Sequence, residues 1–384
     1  MSSWPYGTFL KNREEDVKKT HTPSTMDATL AQRIKVTNYS TCCFSFTWRL
    51  LQALANVFSW RWLLNQRTPI KLEEAGLGGQ TVVVTGGNKG IGLEAAKHFA
   101  CMNVGRLILA CRDVSAGELA VRTIRETPGC NSNSIVCWPL DLSSFESVCA
   151  FATRFREERR PLNVLVCNAG CISCSYSQTP DGWEKMLQAN YLSNALLVML
   201  LVPAFAGVAQ ESRIIMLTSD SHAFIRRVEE DDKVGLLRTL NNPVFCKRSI
   251  GTRYFLTQLF IILFTRELAR RRVSAAPIAM AVNPGYCTTN LDSEFKAKPI
   301  QRYMTRAADH LIARTAEMGS RTIIHAAASS ELHDGGYLAN GRLERESDFA
   351  RSEEGRKLQE RLWDETMFLL CQLDSRVRES LRGL

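Results

Sequence analysis

The residues Thr85-Gly86-Gly87-Asn88-Lys89-Gly90-Ile91-Gly92 have the composition of a phosphate cradle. Gly86 permits a tight turn, Gly90 lets a backbone approach a diphosphate, and Gly92 lets a following helix pack close to a sheet. That helix would present unpaired N–H groups and the positive end of its dipole to the phosphates. A glycine-rich turn can also be a plain structural turn. Here it follows the β-branched run Thr81-Val82-Val83-Val84 and opens a helix over Leu93 to Met102, which is the context a nucleotide-binding turn requires.

Four further groups fall just after apolar runs. Arg112 stands twenty residues beyond Gly92, about where a ribose-sensing side chain is expected. An acidic residue there would accept from a 2′-hydroxyl and select NAD. Arg112 instead offers a charge-assisted fork to a 2′-phosphate, and Lys89 would add a second positive charge, so NADP is favoured over NAD. Asp113 is the counter-argument, because a shift of one residue would bring a carboxylate to the ribose. Asp141-Leu142 is placed to meet an adenine edge. Asn168-Ala169-Gly170 and Thr218-Ser219 follow two later runs.

These groups need a scaffold that lines up the ends of strands. The pattern from Gln80 onward supplies one. Strands are expected over Thr81–Val84, Arg106–Cys111, Ser134–Leu140, Leu162–Cys167, Arg213–Thr218 and Ala279–Asn283. Helices are expected over Ser115–Glu126, Ser143–Arg156, Trp183–Leu201 and Ser249–Arg270. Short buried strands alternating with helices imply one α/β domain: a doubly wound parallel sheet of Rossmann type with helices on both faces. Ligands bind such sheets beyond the carboxyl ends of the strands, where all of these residues lie.

The chain resembles the short-chain dehydrogenase/reductase family over about residues 78–345. The resemblance rests on the turn from Thr85 to Gly92, Asp141, Asn168-Ala169-Gly170, Asn190, Ser219, Tyr254, and Asn283-Pro284-Gly285 with Thr289. Ala110-Cys111-Arg112 and Phe264–Leu268 look most like the retinol-dehydrogenase-like branch, and the tail looks like fungal members that serve natural-product pathways. The resemblance implies that Ser219 hydrogen-bonds a substrate carbonyl or alcohol, that Tyr254 donates or accepts the proton, and that Asn190 holds a water in a relay. It further implies that Asp141 contacts adenine, that Asn168 borders the cofactor, and that Pro284, Gly285 and Thr289 meet the nicotinamide end.

One position departs from the family. Its Tyr-x3-Lys reads here as Tyr254-Phe255-Leu256-Thr257-Gln258, and none of the eight tyrosines has Lys four residues on. Positions i and i+4 share a helix face, so residue 258 sits beside the phenol. Lys would hydrogen-bond the nicotinamide ribose and lower a phenol pKa that is otherwise about 10. Gln258 can still donate to ribose hydroxyls but supplies no charge. A reductase, in which neutral tyrosine is the acid, tolerates that loss best. Arg253, Lys247 and Arg248 are the nearby cations, although Arg253, adjacent to Tyr254, would not share its helix face.

Two readings follow. The first is an NADP-dependent oxidoreductase that interconverts a ketone or aldehyde with an alcohol on an apolar small molecule. The second is an NADP-binding relative that does not turn over. A nucleic-acid binder ranks last, since the net charge of +9 is dispersed and carries no aromatic-basic motif.

Length and composition bound the rest. With 384 residues, 45% hydrophobic and 23% charged, the chain can bury a full core, which excludes disorder throughout. Thirteen scattered cysteines fit a reducing compartment, so a cytoplasmic location is expected. The pair Cys171 and Cys174 lacks the partners of a zinc site, and no metal is expected. No signal peptide is visible. The uncharged stretch from Met186 to Gln210 is interrupted by Pro203 and reads as a buried helix. Residues 1–40 read as a disordered extension, 41–77 as an amphipathic helical segment, and 346–384 as a C-terminal helical tail. Trp and Arg over residues 42–65 suit either peripheral contact with the cytosolic face of a membrane or packing on the protein's own core. The run Phe260-Ile261-Ile262-Leu263-Phe264 is apolar on more than one side, which suits core packing or a homodimer contact. The interval from Ser219 to Tyr254 is long for one connection and reads as a charged lid.

Overall fold

The computed structural model describes residues 65–384 apart from 67, 73–75, 131–133, 207, 209–211, 230–232, 273–276, 289–311 and 330–333. The 1–40 extension and nearly all of the 42–65 segment lie outside the described residues, as does Thr289. Within the expected 41–77 helical segment, the described backbone from Thr68 onward is irregular rather than helical.

Eight strands form one sheet in the order β3-β2-β1-β4-β5-β6-β7-β8. They are β1 (Thr81–Thr85), β2 (Arg106–Cys111), β3 (Ile135–Pro139), β4 (Val164–Cys167), β5 (Arg213–Leu217), β6 (Ile278–Asn283), β7 (Tyr337–Ala339) and β8 (Arg342–Glu344). All neighbours are parallel except β7 and β8. The six expected strands are present within two residues at each end, and the β7–β8 hairpin is additional. Every residue of β1 is buried, as a strand covered on both sides must be.

Alternation along the strands feeds two cores. Val82 and Val84 face one, Val83 the other. The first face carries α1 (Gly90–Cys101), α2 (Val114–Arg125) and, from far along the chain, α7 (Ala316–Ala328). The second carries α3 (Phe145–Glu157), α4 (Ser193–Leu201) and α6 (Pro243–Arg271), with α5 (Leu236–Asn241) preceding α6. The C-terminal helices α8 (Asp348–Arg351), α9 (Glu353–Leu373) and α10 (Arg376–Gly383) join that same core through Leu362, Trp363, Leu370 and Val377.

α4 is preceded by a wider π-turn over Leu187–Leu192, so the expected Trp183–Leu201 helix is only partly α. Among the described residues, Leu187–Phe205 is long and apolar enough to cross a membrane, but 83% of its most apolar window is buried inside the fold. The apolar run of α6 is likewise covered within the chain. Phe264 stacks on Trp363 of α9 at 5.5 Å, and Tyr191, which packs edge-on to Phe260 and Phe264, shares a 2.8 Å hydrogen bond with Thr366.

The expected lid is largely ordered helix. α6 begins at Pro243, capped by Asn242, well before the expected Ser249. α5 buries Leu236, Leu237 and Leu240, and its first two N–H groups donate to the Glu365 carboxylate at 2.9 Å each.

Candidate active site

The glycine-rich turn takes the shape its residues dictate. Gly86 and Gly90 have φ of +67° and +57°, a region that disfavours any side chain. A Cβ on Gly92 would lie 2.5 Å from both the Gly86 carbonyl and Asn168 Nδ2, so only glycine lets α1 start this close. Asn88 and Ile91 are half-buried in the turn, and Lys89 points to solvent. α2 and α3 are capped by Asp113 and Ser144, whereas α1 has no side-chain cap. Its first-turn amides remain open to an anion.

Asn168 locks this cradle to β4. Its N–H and that of Ala169 both donate to Thr85 Oγ1 at 2.9 Å, and its Nδ2 donates to the Thr85 carbonyl at 2.8 Å. Gly170 is exposed beside Asn190, whose Oδ1 a Cβ there would approach to 3.1 Å.

Arg112 is exposed at the end of β2 and forms no ion pair with any described residue. The Asp113 carboxylate accepts from the Ala116 N–H at 3.0 Å as the cap of α2. Asp141 holds its own turn, with Oδ1 accepting from the N–H and hydroxyl of Ser143 at 2.9 and 2.6 Å. Leu142 is buried in the core, and its carbonyl accepts from Ser193 Oγ at 2.7 Å.

At the other half of the sheet edge, the Ser219 side chain lies close enough to the Tyr254 phenol to pull its pKa down. Thr218 Oγ1 donates to the Gln258 carbonyl at 2.9 Å, which ties the end of β5 to α6 beside the pair. Asn190 is fully engaged. Its Oδ1 accepts from the Cys171 N–H at 2.7 Å, and its Nδ2 donates to the Cys171 carbonyl and Thr257 Oγ1 at 2.9 and 3.1 Å. Thr257 in turn donates to the Tyr254 carbonyl at 2.7 Å. Asn190 thus spans the loop after β4 and the helix turn that carries the tyrosine. The neighbouring Asn194 leaves Oδ1 buried without a partner, an acceptor suited to a bound water.

Burial pushes the Tyr254 phenol up to about 12, against the pull of Ser219, and among the described residues no cation contributes. Arg253 is spoken for: it is buried and paired with Glu184 at 3.0 Å. Lys247 and Arg248 are exposed, and Lys247 sits 5.6 Å from the centre of the Tyr176 ring. The Gln258 side chain is buried and makes no hydrogen bond with any described residue. Phe255 packs edge-on to the Tyr254 ring, with its own ring centre 5.0 Å from that of Phe224.

Pro284 and Gly285 follow β6, with Gly285 at φ +83°. Arg314 braces this loop, donating to the Pro284 carbonyl at 3.4 Å and to Gln66 and Asn65 of the N-terminal segment. Arg314 was not among the expected site residues, nor were Asp220, His222 and Tyr337. No local pattern marks them, because each acts on a partner far along the chain.

An uncapped helix behind a glycine cradle, joined by one sheet edge to a neighbouring Ser–Tyr pair, fits a Rossmann-type oxidoreductase. A family model for short chain dehydrogenases matches residues 80–225. The chain is 32% identical over 319 residues to a short chain dehydrogenase of Arthrobotrys oligospora, covering 80% of this chain and 97% of that one. It is 34% identical to retinol dehydrogenase 11 of Homo sapiens, covering 77% and 86%. An uncharacterized protein from Mycobacterium paratuberculosis matches in structure with a TM-score of 0.57 at 26% identity, over 77% of this chain and 95% of that one. RhlG of Pseudomonas aeruginosa, solved as an NADP complex, shares the fold at a TM-score of 0.53 and 20% identity, over 72% and 98%. The chain belongs to the short-chain dehydrogenase/reductase family, in its retinol-dehydrogenase-like branch.

Proposed function

We propose that the chain is an NADP-dependent reductase of a ketone or aldehyde on an apolar small molecule, of the kind made in fungal natural-product pathways. The observation that carries this is the nearness of Ser219 to the Tyr254 phenol, at the sheet edge shared with the cradle. The residues present fit a dinucleotide. The amides of 86–92 and Lys89 would hold the diphosphate, Asp141 the adenine, and Pro284, Gly285 and the free amide of Gln258 the nicotinamide end. Bound there, the nicotinamide supplies the hydride. Ser219 orients the carbonyl oxygen, and Tyr254, neutral throughout the physiological range, delivers the proton.

The preference for NADP is supported by charge. Arg112 has no competing carboxylate, and the one objection, Asp113, is consumed as a helix cap. Phe255 against the Tyr254 ring, with Phe224 packed on it, favours an apolar substrate. Among the described residues no cation acts on Tyr254, which favours a second reading, an NADP-binding protein without turnover. Spectrophotometric assays with NADPH and NADH over a panel of apolar carbonyls separate the two. Turnover preferring NADPH is expected, with Arg112→Ala erasing the preference. NADPH binding without turnover establishes the second reading, and an unchanged preference in Arg112→Ala overturns the assignment of that residue.

A further inference from the structure

We propose that His222 and Tyr337 are positioning residues that hold Ser219 in register with Tyr254 and couple it to the loop after β6. The inference rests on the reading of Ser219 and Tyr254 as the pair that handles the carbonyl oxygen.

Ser219 needs such help. β5 ends at Leu217, and the Thr218 N–H makes the last bond of the ladder, to the Val282 carbonyl at 2.9 Å. Beyond it, sheet pairing no longer fixes the chain. The Ser219 carbonyl is held instead by His222, from its N–H at 3.2 Å and from Nδ1 at 2.8 Å. The other ring nitrogen, Nε2, lies 3.0 Å from the Ser347 N–H, a group that can only donate. Nε2 therefore accepts and Nδ1 carries the proton, which sets the tautomer by geometry. The imidazole is a buried strut between the serine and a backbone amide that follows β8.

The next residue is gripped as well. Tyr337 of β7 donates to Asp220 Oδ1 at 2.7 Å and packs edge-on to the His222 ring at 5.2 Å. The same phenol accepts from Asn283 Nδ2 at 2.9 Å, and Asn283 Oδ1 accepts from the Gly285 N–H at 2.9 Å. One continuous set of hydrogen bonds thus runs from the serine's neighbour to the glycine turn after β6. Both ends border the space between hydride donor and carbonyl, where misplacement by about 1 Å can lower a rate about a hundredfold.

The test uses the full chain with NADPH and a panel of apolar aldehydes and ketones beginning with retinal. His222→Ala is expected to lower kcat about ten- to a hundredfold, with KM and the NADPH Kd within about twofold of the parent. Two matched variants separate positioning from bulk packing. The amide of His222→Asn can take the place of Nδ1 and donate to the Ser219 carbonyl, so it restores most of kcat. The amide of His222→Gln reaches only the Nε2 position toward Ser347 and does not. Tyr337→Phe is expected to lower kcat in the same way, again without loss of NADPH binding. Equal kcat for the Asn and Gln variants, or a parent-like His222→Ala, overturns this proposal alone. A parent chain that binds NADPH but reduces nothing on the panel overturns the reductase reading beneath it.

Discussion

The two halves of the sheet edge are built by different means. Over β1 to β3 each group stands where its own stretch of chain puts it: Gly86 and Gly90 bend the turn, Lys89 starts α1, and Arg112 leaves β2. The long-range tie there is Asn168 to Thr85. Over β4 to β8 the groups are held by distant partners. Asn190 reaches Thr257, Asp220 reaches Tyr337, His222 reaches Ser347, and Tyr191 reaches Thr366. The contrast follows from what each half must do. A phosphate is held by backbone shape, which glycine encodes locally. Proton delivery needs two side chains within hydrogen-bond reach, and only packing brings them together.

Substitutions in the two halves should therefore fail differently. The largest effect is expected from Tyr254→Phe, which removes the proposed acid. Carbonyl reduction falls about 10²- to 10⁴-fold while NADPH titration by fluorescence is unchanged. A surviving rate would mean that the proton comes from elsewhere and that the halves do not divide the work this way. Gly92→Ala acts on the other half. Its methyl meets the Gly86 carbonyl and Asn168 Nδ2 at 2.5 Å, so NADPH affinity drops and stability falls by about 1–3 kcal/mol in thermal denaturation.

Gln258→Lys sharpens the comparison by placing a charge one helix turn from Tyr254. With Tyr254 near 12, reduction in the parent is flat with pH through the neutral and mildly alkaline range, while alcohol oxidation, which needs the phenolate, rises with pH. A cation one turn away lowers the oxidation midpoint by about one to three pH units and leaves neutral-pH reduction nearly unchanged. Unmoved oxidation profiles would show that residue 258 does not act on the phenol.

The smallest effect is expected in acid. Burial pushes His222 below its ordinary 6.5, against the Ser219 carbonyl, Asp220 and Glu346, which pull the other way. A folded pKa lowered in this way means that the unfolded chain binds the proton more readily. The stability contributed by neutral His222 is complete above 6.5 and is lost as pH falls below it. A decline in melting temperature over that interval, absent in His222→Asn, is the expected signature.

Much of the architecture was legible in advance because its signals are local. Buried parallel strands read as unbroken β-branched runs, and the glycine turn sits between a strand and a helix, so the sheet and the cradle could be placed from spacing alone. Helix ends were less legible. α6 starts at Pro243 because Asn242 caps it, and the π-turn at Leu187–Leu192 interrupts a pattern that periodicity reads as one helix. The β7–β8 hairpin was missed because strands of three residues leave little period to detect.

The amino-acid order by itself determined the doubly wound sheet, the glycine turn, Arg112 at the end of the second strand and Gln258 four residues after Tyr254. Each of these depends on a residue type and its near neighbours. Tertiary structure alone decided two things: that the second apolar face of α6 is covered by α9, and that Ser219 sits beside Tyr254 under the restraint of His222 and Tyr337. Their common physical reason is reach. A hydrogen bond or a packed ring acts over a few ångströms, and only the folded chain brings Phe264 to Trp363, Asp220 to Tyr337 and His222 to Ser347.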